Sequence, residues 1–163
     1  MCLTWVCIRR VFLALVLRPT YLSGPKVYIA ERDFASEGTT HLHMDKSAAV
    51  NIMLHSSTSN SQKRGGARWE IWPQTSIAPL SRILSPSSSE EECNMGIPII
   101  SEQSYVPEEQ FGDQVLEKAW SFIQHPGDAV FIPPGCPHQV CDHDFILSRV
   151  CYLVIGNESW KLH

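Results

Sequence analysis

Short runs of β-branched and aromatic residues alternate with polar, glycine- and proline-rich stretches along most of the chain. Runs of this length and composition are typical of strands joined by turns. The segments that fit a strand are residues 26–30, 40–45, 49–54, 68–72, 120–124, 129–132 and 145–155. The pattern therefore predicts an all-β dominated fold.

Two other segments predict short helices. Residues 77–84 have a helix-compatible composition, and in residues 107–119 the apolar side chains of Phe111, Val115 and Ala119 recur every four positions. That spacing gives a helix one apolar stripe, which can pack against a sheet. We therefore expect one or two short helices beside the strands.

The remaining stretches differ from both patterns. Residues 56–66 have the composition of a flexible polar loop, and residues 85–95 that of a mobile acidic insertion. Residues 1–17 are mostly apolar and too short to span a bilayer. They fit the hydrophobic region of a signal peptide, an element on the flank of the domain, or a segment that is not native to the fold. We expect one domain over residues 24–155, with residues 1–23 unassigned and residues 156–163 as a tail.

Composition narrows the possible partners. The 163 residues carry a net charge of −4, and the sequence contains no tract of Lys and Arg of the kind that binds the phosphate backbone of nucleic acids. We therefore expect no direct nucleic-acid site and no membrane insertion. The six cysteines contain no C-x-x-C pair, which speaks against a zinc knuckle or a disulfide scaffold and favours a reducing compartment.

One pair of residues suggests a metal site. His43 and Asp45 lie on a segment that reads as extended, so period-two alternation would turn both side chains to one side. His138 follows a buried apolar run and two prolines, and is the best third ligand. Two imidazoles and one carboxylate form the facial triad of non-haem Fe(II) oxygenases. His41 is an alternative ligand, although an exposed or supporting histidine is commoner.

Two blocks of sequence resemble the JmjC domain of the type-three branch of lysine-specific demethylases. The first block contains GPKVY at residues 24–28, GTTHLHMD at residues 38–45 and AVNIM at residues 49–53. The second contains QSY at residues 103–105, Trp120 and GDAVFIPPGCPHQV at residues 127–140. The resemblance implies a double-stranded β-helix, a cupin-like jelly-roll barrel of two facing antiparallel sheets. It also implies that His43, Asp45 and His138 hold Fe(II), with 2-oxoglutarate as co-substrate.

The same resemblance implies residues that bind 2-oxoglutarate. Thr40 matches a threonine that bonds a co-substrate carboxylate, although threonine is also a common strand former. Asn51 would use its amide in the same way, or would instead bond backbone. The far carboxylate needs a Lys or Arg, and Arg149 lies within one residue of the expected position. A turn one residue longer after His138 would restore its register; otherwise Arg149 is an exposed edge residue.

The function that the resemblance implies is a histone lysine demethylase of the nucleus. Its partners would be a methylated histone tail peptide, from histone H3, and other chromatin-associated proteins. Two alternatives remain open: a protein hydroxylase on the same barrel, and a catalytically inactive, truncated domain that only binds metal. A structural zinc site fits less well, because such sites are closed and usually contain thiolates.

Overall fold

The computed structural model describes residues 26–30, 40–56, 65–101, 104–111, 118–143 and 148–154. Eight strands fall within these ranges: β1 (Lys26–Ala30), β2 (Thr40–His43), β3 (Ala49–His55), β4 (Gly66–Ile71), β5 (Trp120–Gln124), β6 (Ala129–Ile132), β7 (His138–His143) and β8 (Ser148–Val154). The described helices are α1 (Ile77–Leu84), α2 (Glu90–Met95) and α3 (Ile97–Ser101), with 3-10 turns at Gln74–Ser76 and Glu108–Gln110.

The strands form two four-stranded sheets, with orders β1-β8-β3-β6 and β2-β7-β4-β5, and every pair of neighbours is antiparallel. One buried apolar cluster joins the inner faces of the two sheets. It contains Ala49 and Met53 of β3, Ala67, Trp69 and Ile71 of β4, Val130 and Ile132 of β6, Cys136, and Val140 of β7. This arrangement confirms the predicted barrel of two facing antiparallel sheets.

A second apolar layer covers the outer face of the β2-β7-β4-β5 sheet. Leu42, Trp72, Leu80, Ile99, Val106 and Phe111 form its buried cluster. Trp72 and Trp69 point to opposite faces of β4, and both are buried, because the helices cover the outer face.

Residues 85–95 differ from the expected mobile insertion, because they contain α2. The Ser89 hydroxyl accepts from the Glu92 amide, and the Glu92 carboxylate accepts from the Ser89 amide, which makes a capping box. Gly96 ends the helix in the left-handed conformation, with φ 71°. Cys93 of this helix is buried. The acidic run is thus the first turn of a helix, where the positive end of the helix dipole favours carboxylates.

Other expectations are met in part. Within the range of the helix expected over residues 107–119, the described residues form only the 3-10 turn Glu108–Gln110, which ends at the extended residue Phe111. Residues 112–117 lie outside the described ranges. So do the segments 1–23 and 156–163 and most of the polar loop over residues 56–66. Within the described part of the chain, no helix has the length and apolarity needed to cross a membrane.

Candidate metal centre

His43 and His138 lie directly opposite each other on the neighbouring strands β2 and β7. Thr40 pairs with Val140, and the register shifts between Thr40 and His43. In a regular strand, residues three apart point to opposite faces. The irregularity lets both residues sit opposite inward-facing partners, while Leu42 packs in the outer layer. The two imidazoles meet with ring centroids 4.2 Å apart.

Asp45 reaches the same place from beyond the strand. The strand was expected to run through Asp45, but β2 ends at His43. The backbone amide of Gly135 donates to the carbonyl of Asp45 at 2.7 Å, which ties this segment to the turn that precedes His138. The Asp45 Oδ2 lies 4.0 Å from His138 Nε2. One potential ligand atom from each of His43, Asp45 and His138 lies within 4.8 Å of the other two.

Backbone carbonyls fix the tautomers of both histidines. His43 Nδ1 lies 2.7 Å from the carbonyl of His41, and His138 Nδ1 lies 3.0 Å from the carbonyl of Cys136. A carbonyl only accepts, so each Nδ1 carries the proton and donates it. Each Nε2 then presents a lone pair, as in histidine ligands whose other nitrogen is held by a carbonyl.

His138 Nε2 is the clearest sign of a ligand site. The side chain is fully buried, and this nitrogen has no hydrogen-bond partner among the described residues. An unpaired polar atom in a dry interior is costly unless something binds it. Because a carboxylate and a second imidazole stand beside it, a divalent cation fits this donor set. Exposed His41 is outside this group of three, and its backbone carbonyl accepts from His43 Nδ1.

Burial keeps His138 neutral. It lowers the pKa of the imidazole from 6.5 to about 4, and the neighbouring His43 acts in the same direction. The Cys136 carbonyl and Asp45 oppose this shift. Neutral imidazole is the form that binds a metal, so at neutral pH the site needs little proton release from His138.

An aromatic wall adjoins the site. The ring of Trp69 stacks on His138 with a centroid distance of 6.1 Å, and the ring of Phe122 stacks on Trp69 at 6.5 Å. Phe122 also lines an apolar cavity of about 500 Å³ between β5 and β6, together with Ile123, Val130 and Phe131. The wall therefore runs from this opening to the ligand histidine.

The three residues expected to bind the co-substrate lie in three different environments. Thr40 is half-buried opposite Val140, a position compatible with the predicted role. Asn51 lies on β3 between the sheets, 1% exposed, and its Nδ2 has no partner among the described residues. Arg149 is described only through its backbone, which pairs with Ile29 of β1 and His55 of β3. The roles of all three residues stay predictions.

Sequence reasoning missed a polar brace behind the site. Gln139 follows His138 and points to the outer face, where its Oε1 accepts from the Val106 amide at 3.1 Å. Its Nε2 donates to the Val106 carbonyl at 2.8 Å and to Glu70 Oε2. Arg68 completes the brace with a 2.6 Å ion pair to Glu70. The only signal in the sequence was a pair of polar residues within apolar strands, because their partners lie far apart in the chain.

The comparison with known protein families agrees with this geometry. A family model described as "JmjC domain, hydroxylase" matches residues 36–150, a range that contains His43, Asp45 and His138. The chain belongs to the JmjC family. JmjC proteins generally use Fe(II) and 2-oxoglutarate, and the three side chains of this JmjC domain form a possible site for the metal.

Several curated proteins are similar to this JmjC domain. Lysine-specific demethylase 3A-B of Xenopus laevis is 28% identical over 75% of the chain, and human lysine-specific demethylase 3A is 26% identical over 72%. Lysine-specific demethylase JMJ27 of Arabidopsis thaliana is 35% identical over 47% of the chain. The JmjC domain covers only 12% of the length of each of the first two relatives, and 10% of the third.

Proposed function

We propose that this JmjC domain is an Fe(II)- and 2-oxoglutarate-dependent lysine demethylase that acts on methylated histone H3 tails in the nucleus. The observation that carries the proposal is the meeting of His43, Asp45 and His138, with the Nε2 of His138 buried and unpartnered among the described residues. A triad of this kind holds Fe(II) on one side and leaves positions for a co-substrate and oxygen.

Different residues of the chain would bind the metal, bind the co-substrate and exclude water. His43, Asp45 and His138 would hold the iron, and the Nδ1 bonds of the histidines keep their rings oriented. Asn51 offers a buried donor to an oxygen of 2-oxoglutarate, and Trp69 excludes water beside His138. Bound Fe(II) supplies the oxidation: dioxygen and 2-oxoglutarate are consumed, and succinate, carbon dioxide, formaldehyde and the demethylated amine are formed.

The substrate and the compartment rest on the relatives. Several curated relatives are named lysine-specific demethylases, which supports an N-methyl lysine as substrate. Histone H3, the nucleus and chromatin-associated partners are the finer parts of the proposal. The net charge of −4 is compatible with a basic histone tail.

The test combines binding with turnover. Anaerobic titration with Fe(II) and 2-oxoglutarate should produce the metal-to-ligand charge-transfer band, and methylated H3 peptides should release formaldehyde in proportion to succinate. His138→Gln should abolish both signals. His41→Gln removes an exposed imidazole two residues from His43 and should retain them. A wild-type chain that binds Fe(II) and 2-oxoglutarate without forming succinate would support the inactive reading instead.

A second candidate is a protein hydroxylase on the same barrel. The description of the matching family model names a hydroxylase, which favours this alternative. Hydroxylation would form succinate with a peptide substrate but would release no formaldehyde, and the product would gain one oxygen atom. Mass spectrometry of the peptide after turnover distinguishes the two reactions.

A further inference from the structure

Three buried side chains form a hydrogen-bonded chain between the two sheets. Trp69 Nε1 donates to Gln124 Oε1 at 2.8 Å, and Gln124 Nε2 donates to Asn51 Oδ1 at 3.2 Å. The three residues come from β4, β5 and β3, and each is 1% exposed. The chain therefore connects the wall beside His138 to the amide of Asn51.

The orientation of the Gln124 amide is fixed from both ends. An indole N–H only donates, so Gln124 turns its oxygen towards Trp69. Its nitrogen faces the backbone carbonyls of Asn51 and Asp128, each 3.1 Å away, which only accept. If the Gln124 amide were flipped, its nitrogen would face the Trp69 N–H donor and its oxygen would face the two carbonyl acceptors, so all of these bonds would be lost.

The orientation of Gln124 then dictates that of Asn51. If Asn51 turned its nitrogen towards Gln124, two N–H donor groups would face each other. Asn51 therefore keeps its oxygen on Gln124, and its Nδ2 points elsewhere. That nitrogen is buried and lacks a hydrogen-bond partner in the described part of the chain, so its donors are available to an acceptor oxygen.

We propose that Gln124, held by Trp69, is a positioning residue that keeps the Asn51 amide with its N–H donors available to an oxygen of 2-oxoglutarate. The inference rests on the proposed function and adds the device that sets the polarity of the pocket. Gln124 acts through Asn51. A ligand that presents a carboxylate or keto oxygen to Asn51 is accepted, and one that presents a donor is rejected.

The test measures binding without turnover. The chain is loaded with Mn(II), and the dissociation constant of 2-oxoglutarate is measured by calorimetry. Gln124→Met keeps the length of the side chain but removes its hydrogen bonds, and it should weaken 2-oxoglutarate binding about fivefold, the size of one ordinary hydrogen bond. Its affinity for Mn(II) should stay at the wild-type value.

A double-mutant cycle shows whether Gln124 acts through Asn51. Asn51→Ala should weaken binding at least as much as Gln124→Met, and Gln124→Met should add nothing in the Asn51→Ala background. Gln139→Met is the matched control, because it removes a buried amide from the outer face of β7. It should lower the melting temperature and leave the 2-oxoglutarate dissociation constant unchanged.

A further variant, Asn51→Asp, tests polarity directly and covers the case in which Gln124→Met does not fold. One oxygen of the introduced carboxylate can still accept the bond from Gln124, but the other oxygen replaces the N–H donors. Binding should therefore be weaker than in Asn51→Ala. The inference would be overturned if Gln124→Met or Asn51→Asp bound 2-oxoglutarate with wild-type affinity, or if the losses of affinity were additive in the double mutant. Either result would leave the proposed function standing. A wild-type chain that binds no 2-oxoglutarate would overturn the proposed function as well.

Discussion

The metal-free domain should lose stability in acid because of one residue, His138. Burial lowers the pKa of its imidazole from 6.5 to about 4. Between these values the unfolded chain binds a proton at this residue and the folded chain does not. The free energy of unfolding therefore falls as the pH falls through this window.

The size of the effect follows from the shift. At 1.36 kcal/mol per pH unit, the shift amounts to about 3 kcal/mol between neutral pH and about pH 4. A domain of this size has only about 5–15 kcal/mol in total, so the loss is easily measured. The appropriate assay is urea unfolding at a series of pH values in the presence of a chelator.

The variant His138→Gln removes the titrating group and should flatten the stability curve by about this amount. His55→Gln removes an exposed imidazole from β3 and is the matched control, which should keep the wild-type slope. Divalent metal should raise the stability of the wild-type chain at neutral pH without flattening its curve, because a metal bound at Nε2 also keeps the proton off His138 in the folded chain. An unchanged slope in His138→Gln would refute the reasoning that burial of this imidazole causes the acid sensitivity.

Three further substitutions probe the frame around the site. Gly135→Ala places a side chain at φ 68°, which costs about 1–2 kcal/mol of stability. Because the Gly135 amide bonds the Asp45 carbonyl, the variant should also bind metal more weakly in a titration with Mn(II). Unchanged affinity for Mn(II) would show that this turn does not position Asp45. Ser89→Ala removes the capping box of α2 and should cost about 1 kcal/mol in urea unfolding, whereas no loss would mean that the cap is dispensable. Gln139→Met removes the bonds to Glu70 Oε2 and to the Val106 backbone, while Arg68 still pairs with Glu70 Oε1, and it should cost about 2 kcal/mol, seen as a lower melting temperature. An unchanged melting temperature would contradict the importance of the brace.

The strands and the triad were largely predictable, because each depends on local pattern. Apolar runs bounded by turn residues indicated most of the strands, and His138 stood out after two prolines. Asp45 was selected for a partly wrong reason. A regular strand was expected to run through it, whereas β2 ends at His43 and contains a register shift. Such irregularities depend on the partner strand, which a single stretch of sequence does not reveal.

Other features depended on contacts between distant residues. Gln124 bonds Asn51 from 73 positions away, and Gln139 reaches Glu70 across 69 positions. Pattern along the chain cannot pair such residues. The helix α2 is different, since Ser89 followed by Glu92 is a capping-box signature that was readable as a helix start. Its serine-rich surroundings had suggested disorder instead.

The stacking of Trp69 on His138 gives the molecule an internal optical probe. Indole emission is quenched by a nearby paramagnetic ion, and the ring of Trp69 lies 6.1 Å from that of the ligand His138. Trp72, which directly follows β4, packs against Phe111 instead, and it supplies a background signal together with the other three tryptophans of the chain. Occupancy of the centre can thus be followed by fluorescence in the native chain, without a label or a substrate.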